Sequence, residues 1–545
     1  MAELSRRGML KALAAAGGLV GSGGYLSACS KDGSGGAGSD VTLRVAEAPF
    51  SAMPPASEQK ADVGARAYAE VLKSWLDRNP GVKLRSVNID IWNQEAMTTA
   101  VAGGTAPAIY SSNALGNWSQ PAILSAFKQG LAADVTDLFA ESGLEDKLAP
   151  YVRPVWEETW QVDGKYFGMP SGFGVSDGMF YRKDLFAEAG VAEPKPDYTW
   201  QDVRIMARAL TDGRRKGFAS PSWGLGVALD SDGWNLLSQL PAPQTNWRWQ
   251  WDYTWRAEEK WIPVIEDWRG MMFEDKALIS DVSYGSWDEV TAAFVRGDVA
   301  MHTGNVDQYV SGAENENSYL RLAKELDKPI WDVVGWMTYP LGQYGEFPAR
   351  RSYVGAYSFS PDLDDEALAK SFDLSVFMIG TGFARQMEIV YDETKDLKRV
   401  HSPDTIMPVL TGITDKLPGD PAEAWGQQYV DEVIRAGNRA LVPEQSTYLP
   451  AEESGPAGDP VDDAMSKWMY EPDPGPIMDA LKKLEQTRNT QAESFSSVAS
   501  EGDFIAGARR YYQAHDDFWK KDAPEFHENV FRGWYERYVL PALGD

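Results

Sequence analysis

Between residues 41 and 110 the chain alternates between strand and helix periods, and that alternation restricts the fold more than any other feature. Val41-Thr42-Leu43-Arg44-Val45 reads as a short strand. From Asp62 to Asn79, Ala65, Ala69, Leu72 and Leu76 fall near one helical face, and Asn79-Pro80-Gly81 stops the helix. Val82 to Val87 alternates as a second strand, and Gln94 to Ala102 reads as a second helix ending at Gly103-Gly104. Ala108-Ile109-Tyr110 is the third strand. Strands linked through helices imply a parallel α/β sheet, whose loops at the C-terminal strand ends are the usual ligand positions. The chain has 545 residues, so two or three structural units are expected.

The N-terminus reads as an export address. Ser5-Arg6-Arg7-Gly8-Met9-Leu10-Lys11 carries a twin-arginine pair ahead of an Ala/Gly/Leu run to Tyr25. That run is too short and too glycine-rich for a transmembrane helix. It ends in Leu26-Ser27-Ala28-Cys29, which resembles a bacterial lipobox. Residues 1–28 would then be the signal peptide of a Tat-exported lipoprotein, with a lipid such as palmitate on Cys29. Residues 29–40 are Gly/Ser-rich and would form a flexible tether. No other stretch approaches 18 uninterrupted apolar residues, so the expected membrane attachment is through the lipid alone, on the outer face.

Composition removes several function classes. Asp and Glu number 80 against 52 Lys and Arg, a net charge of −28, and that field repels a phosphate backbone or an anionic lipid surface. Nucleic acid is therefore not an expected partner. Cys29 is the one cysteine, which excludes a disulfide scaffold, and four scattered histidines argue against a multi-ligand zinc site. No cofactor is expected. Asp230-Ser231-Asp232-Gly233 is a fragment of a calcium loop without the downstream residues of an EF-hand; it reads as a turn, with a structural calcium as the alternative.

A series of short motifs then follows in order. These are Asn79-Pro80-Gly81-Val82-Lys83, Ala102-Gly103-Gly104-Thr105-Ala106-Pro107 and Leu131-Ala132-Ala133-Asp134-Val135-Thr136. Gly168-Met169-Pro170, Phe180-Tyr181-Arg182-Lys183-Asp184-Leu185-Phe186 and Tyr198-Thr199-Trp200-Gln201-Asp202-Val203 come next. Ala293 to Met301 and, more loosely, Thr338 to Gly342 complete the series. In this order across residues 41–385 the chain resembles the extracellular solute-binding proteins, family 1, of ABC sugar importers. The resemblance implies an α/β, two-lobed periplasmic-binding-protein-like fold, each lobe a mainly parallel sheet flanked by helices, with the ligand in the cleft between them. The expected boundaries are 41–160 and 333–390 for lobe 1, and 161–332 and 391–545 for lobe 2. The last 150 or so residues match the family less clearly and turn helical from Ile477.

Candidate ligand contacts follow from both readings. Trp92 follows the second strand, and Asn113 and Trp118 follow the third, at sheet C-terminal edges. By the resemblance, Phe173 and Asp177 lie in the stretch that links the lobes, and Trp234 lies in a loop facing the cleft. Asn305 and Asp307 follow the Val299-Ala300-Met301 strand, where relatives often place a stacking tryptophan. Tyr353 and Tyr357 flank Gly355 at the matching crossover. Structural packing remains the competing role for each of these. Trp247, Trp249, Trp251, Tyr253 and Trp255 alternate with polar residues, so in a strand they would share one face, about 6.6–6.8 Å apart. That stripe is either core or a platform for sugar rings. The C-terminal aromatics Phe531, Trp534 and Tyr538 recur at helical spacing and read as packing.

Gly174-Val175-Ser176-Asp177-Gly178 matches the G-x-S-x-G nucleophile elbow, which needs a strand before the serine and a helix after it. A strand pattern follows instead, and the resemblance implies that this stretch links the lobes and lines the cleft. The resulting reading is a monomeric, lipid-anchored receptor that captures an oligosaccharide for an ABC permease and performs no bond chemistry. The alternatives are an exported glycan-active hydrolase and a surface glycan receptor without a transport role.

Overall fold

The computed structural model describes residues 40–46, 50–91, 93–116, 120–153, 156, 160–174, 178–220, 225, 228–229, 242–243, 249–250, 252–279, 287–304, 306, 309, 318–342, 353–439, 464, 467–492, 509, 512–513, 516–517, 519–521 and 524–543. Residues 1–39, which hold the expected signal segment and Cys29, lie outside them. The N-terminal alternation is present as expected: β1 (Val41–Val45), α1 (Val63–Arg78), β2 (Val82–Ser86), α2 (Gln94–Ala102) and β3 (Ile109–Ser111). Asp62 caps α1 by accepting from the Ala65 N–H at 2.7 Å. The helix buries Ala67, Val71, Leu72 and Trp75, and the Trp75 indole donates to Asp373 at 2.8 Å. β1 pairs with β2 in parallel register, and Ala108 N–H donates to Arg44 C=O at 2.7 Å, bringing the start of β3 alongside.

The hairpin β4 (Gln161–Val162) and β5 (Lys165–Tyr166) leads into β6 (Gly168–Gly174), and β7 (Gly178–Arg182) follows. Beyond the short helix Lys183–Ala189 lie α3 (Trp200–Leu210), β8 (Lys216–Ala219), β9 (Ala242–Pro243), β10 (Trp249–Gln250) and α4 (Trp261–Arg269). They are followed by α5 (Trp287–Arg296), β11 (Val299–Gly304), β12 (Val334–Thr338) and β13 (Tyr353–Phe359). Then come α6 (Asp365–Ile379), α7 (Thr381–Thr394), α8 (Gln427–Arg439) and α9 (Ile477–Ala492). One lobe carries the order β3-β13-β6 beside β1-β2, and the other carries β12-β7-β11-β8. The parallel pattern is narrower than expected. It holds for β1–β2 and β11–β8, whereas β13 is antiparallel to β3 and β6, and β7 is antiparallel to β11 and β12. The strands that carry the chain between lobes enter each sheet against the direction of the βα-connected strands.

Three lobe boundaries are corrected by these pairings. β6 was expected in lobe 2 but pairs with β13, so the crossing falls between Gly174 and Gly178. β12 was expected in lobe 1 but pairs with β7. Residues 397–425 were expected in lobe 2, yet Ala149 N–H donates to Val409 C=O at 2.8 Å and the Tyr151 hydroxyl to Pro408 C=O at 2.6 Å. That segment continues into α8, which packs on β12, so residues 397–439 strap the two lobes together.

The second sheet is covered on both faces, and every residue of β7 and β11 is buried, Arg182, His302 and Thr303 included. Phe180, His302 and Trp336 face Phe294, Tyr319 and Tyr429. Met179, Tyr181, Met301 and Met337 share the other core with Trp268, Trp468, Trp519 and Trp534. The C-terminal extension therefore completes the second lobe, and its aromatics pack, as their helical spacing implies. Among the described residues no helix is long and apolar enough to cross a membrane.

Candidate functional site

The two sheets meet where the chain crosses from β6 to β7 and from β12 to β13. On the first-lobe side, β3 ends at Ser111 and turns at once into the 3-10 segment Ser112–Leu115, which carries the half-buried Asn113. The Ser112 and Ser358 hydroxyls are 2.7 Å apart and buried, fastening this turn to β13. Tyr357 stands opposite Ser111 in the register. Its neighbours Ala356 and Ser358 point into the core, leaving Tyr357 half-buried on the opposite face. Phe50, which follows β1, meets the Tyr357 ring edge-on at 5.0 Å and 72°.

Tyr357 thus presents its hydroxyl from an aromatic corner. Burial, reinforced by the negative charge of Asp404, pushes its pKa up to about 12. The phenol stays protonated at neutral pH and can both donate and accept. Asp404 lies in the first turn of the short helix Pro403–Ile406, started by Ser402, whose N–H donates to the Thr405 hydroxyl at 2.7 Å. A Cβ placed on Gly172 of β6 would stand 4.0 Å from the Asp404 carboxylate. The exposed Asp404 therefore overhangs the same strand edge.

Of the expected contacts, Asn113 and Tyr357 are brought together at this edge. Phe173 and Tyr353 are placed by backbone pairing alone, opposite Val354 and Gly174 respectively. Trp92, Trp118, Asp177, Trp234, Trp247, Asn305 and Asp307 lie outside the described residues, as does the segment Asp230-Ser231-Asp232-Gly233. Among the described residues no cluster of three metal-ligating side chains occurs. Sequence reasoning missed Phe50 and Asp404. Asp404 had a usable signal, since Ser402-Pro403-Asp404 is a cap, a proline at the first helical position and an acid in the first turn.

The aromatic stripe does not persist as one strand. β10 covers only Trp249–Gln250, paired with Ala242–Pro243. The Asp252 carboxylate then accepts from the N–H groups of Thr254 and Trp255 at 3.0 and 2.8 Å, turning the chain. Tyr253 and Trp255 are buried in the second core, so these two rings pack rather than face a ligand. At the G-x-S-x-G match, Gly174 closes β6 and Gly178 opens β7. A strand stands where an elbow requires a helix.

Comparison with known proteins gives the same architecture. The family model described as bacterial extracellular solute-binding protein matches residues 57–372. The sn-glycerol-3-phosphate-binding periplasmic protein UgpB of Shigella flexneri is 25% identical over 301 residues, covering 51% of this chain and 64% of that one. The match therefore spans a little under two thirds of the length of that curated relative. The ABC substrate-binding protein from Listeria monocytogenes in complex with cycloalternan superposes with a TM-score of 0.55 at 16% identity, over 83% of this chain and 99% of that one. The cyclic alpha-maltosyl-1,6-maltose binding protein from Arthrobacter globiformis gives a TM-score of 0.52 at 15% identity, over 83% and 99%. At such identities these structures speak to the fold alone.

Proposed function

The chain belongs to the bacterial extracellular solute-binding protein family, and from that premise we propose that it captures a carbohydrate, an oligosaccharide, and delivers it to an ABC import permease. The observation that carries the ligand class is the first-lobe edge where Asn113 and the protonated Tyr357 stand beside the exposed Asp404. An amide, a neutral hydroxyl and a carboxylate together match the donor and acceptor pattern of sugar hydroxyls, and aromatic rings match the C–H faces. Two structural relatives carry cycloalternan and cyclic alpha-maltosyl-1,6-maltose in their names. UgpB is named for sn-glycerol 3-phosphate, but a net charge of −28 favours a neutral ligand over a phosphate. Cys29, in its lipobox-like setting, would hold the receptor to the outer face of the membrane. In this reading the protein is a monomer that breaks no bond.

Purified protein titrated with linear and cyclic oligosaccharides, and separately with sn-glycerol 3-phosphate, tests the proposal. Saturable tryptophan quenching by an oligosaccharide recovered intact is the expected result. Turnover of the sugar would identify a hydrolase, and response to the phosphate alone would overturn the ligand class. Cys29→Ser should release the protein from the membrane with its affinity unchanged.

A further inference from the structure

The C-terminal extension meets the end of the aromatic stripe at a cluster of polar side chains. α9 lies against β10, and the helical segment Tyr535–Val539 lies against β9. Both reach the turn that follows the hairpin. The Thr254 hydroxyl is 3.0 Å from Asp252 Oδ1 and 3.2 Å from Oε2 of Glu485, on α9. The Tyr538 hydroxyl donates to Asp252 Oδ2. All four side chains are half-buried. The cluster belongs to the second lobe and takes no residue from the edge that carries Asn113 and Tyr357.

With both acids ionised, the cluster is one proton short. Asp252 is supplied by four donors, the Thr254 and Trp255 amides, the Thr254 hydroxyl and the Tyr538 phenol. A hydroxyl has a single proton, so a Thr254 oxygen that donates to Asp252 can only accept from Glu485, and a carboxyl donates only when protonated. Without that proton two carboxylates converge on one hydroxyl, and their like charges repel. Among the described residues neither carboxylate has a salt bridge. Arg256 is paired with Glu259, Lys482 faces Asp479 at 4.0 Å, and Arg537 lies over the Tyr538 ring at 5.2 Å. Burial, followed by the Asp252 charge, raises the Glu485 pKa above its ordinary 4.5. Burial and Asp252 also raise that of Tyr538, so the phenol stays a donor.

We propose that Asp252, Thr254, Glu485 and Tyr538 form a proton-operated latch, in which a proton on Glu485 fastens α9 to the 252–255 turn and its loss loosens α9 from the second lobe. In the fastened state the Glu485 carboxyl donates to the Thr254 oxygen, while the Thr254 and Tyr538 hydroxyls both donate to Asp252. The folded chain holds this proton more tightly than the unfolded chain does. The latch therefore contributes fully below pH 4.5 and weakens as pH rises through the higher folded value. α9 lies beyond residue 372, where the family match ends, so the latch acts on an addition to the shared fold and is independent of what the cleft binds.

Hydrogen-exchange mass spectrometry of the full chain at about pH 5 and pH 8, corrected for the intrinsic pH dependence of exchange, tests the latch. Measured relative to α3 of the same lobe, the α9 amides should be about 2- to 10-fold better protected at the lower pH, the size expected of one hydrogen bond. Glu485→Gln places a permanent donor opposite Thr254 and should carry the acid-state protection through to the higher pH. Asp252→Asn removes the repelling charge while leaving an oxygen for the turn amides. It should also abolish the pH dependence, and it serves if Glu485→Gln does not fold. Equal α9 protection at the two pH values in the unmodified protein overturns the latch, as does a difference that persists in a folded variant.

Discussion

His302 shows how far burial alone changes a side chain's chemistry. It is fully buried in β11, with Nδ1 2.7 Å from the Thr303 carbonyl and Nε2 2.6 Å from the Tyr319 hydroxyl. The carbonyl can only accept, so Nδ1 carries the proton and Nε2 accepts from Tyr319. Burial lowers the pKa from 6.5 to about 4. Between those values the unfolded chain binds a proton that the folded chain refuses. Its stabilising contribution is thus complete above pH 6.5 and is lost as pH falls toward 4. The loss approaches about 3 kcal/mol at 1.36 kcal/mol per pH unit. Urea midpoints of His302→Gln at pH 7.5 and pH 5 should differ less than those of the unmodified protein; an equal difference would place the acid sensitivity elsewhere. Tyr357 allows a second separation of roles. Tyr357→Phe keeps the edge contact with Phe50 and removes only the hydroxyl, so sugar affinity should fall about 2- to 10-fold with Tm nearly unchanged. A fall in Tm with affinity kept would return Tyr357 to the core.

At the scale of elements, local signals and long-range pairing divide cleanly. The spans of α1 and α2 and their stops at Asn79-Pro80-Gly81 and Gly103-Gly104 were readable because each signal spans a few adjacent residues. The approach of β7 to β12 was not. A Cβ at Gly335 would stand 2.0 Å from the Tyr181 ring, and one at Gly178 would stand 2.2 Å from the Met337 carbonyl. Nothing beside Gly335 in sequence announces Tyr181 as its neighbour. Gly335→Ala must push the ring off β12, and a denaturation midpoint should show destabilisation of about 1–3 kcal/mol or more. A neutral effect would mean that the sheet can part there. The aromatic stripe makes the same point. Alternation predicts one strand face, but the Asp252 turn ends it and hands Tyr253 and Trp255 to the core.

For the whole molecule, the lobes are joined by the β6–β7 and β12–β13 crossings and by the strap of residues 397–439. If ligand capture closes one lobe on the other, small-angle scattering should show the radius of gyration falling on addition of an oligosaccharide, with mass unchanged. An identical profile at saturation would indicate a rigid groove. The strap also explains why Asp404 was missed: its segment lies beyond residue 372, where the family match ends, yet it returns to β6. What the sequence determined by itself was the α/β class, the strand and helix order of residues 41–110 and the family, because each is written in contiguous periods and motifs. What only the tertiary structure decided was partnership: β6 with β13, β12 with β7, Phe50 and Asp404 around Tyr357, and the C-terminal tryptophans inside the second core. Those contacts join residues tens to hundreds of positions apart, and their free energy depends on shapes that no local pattern carries.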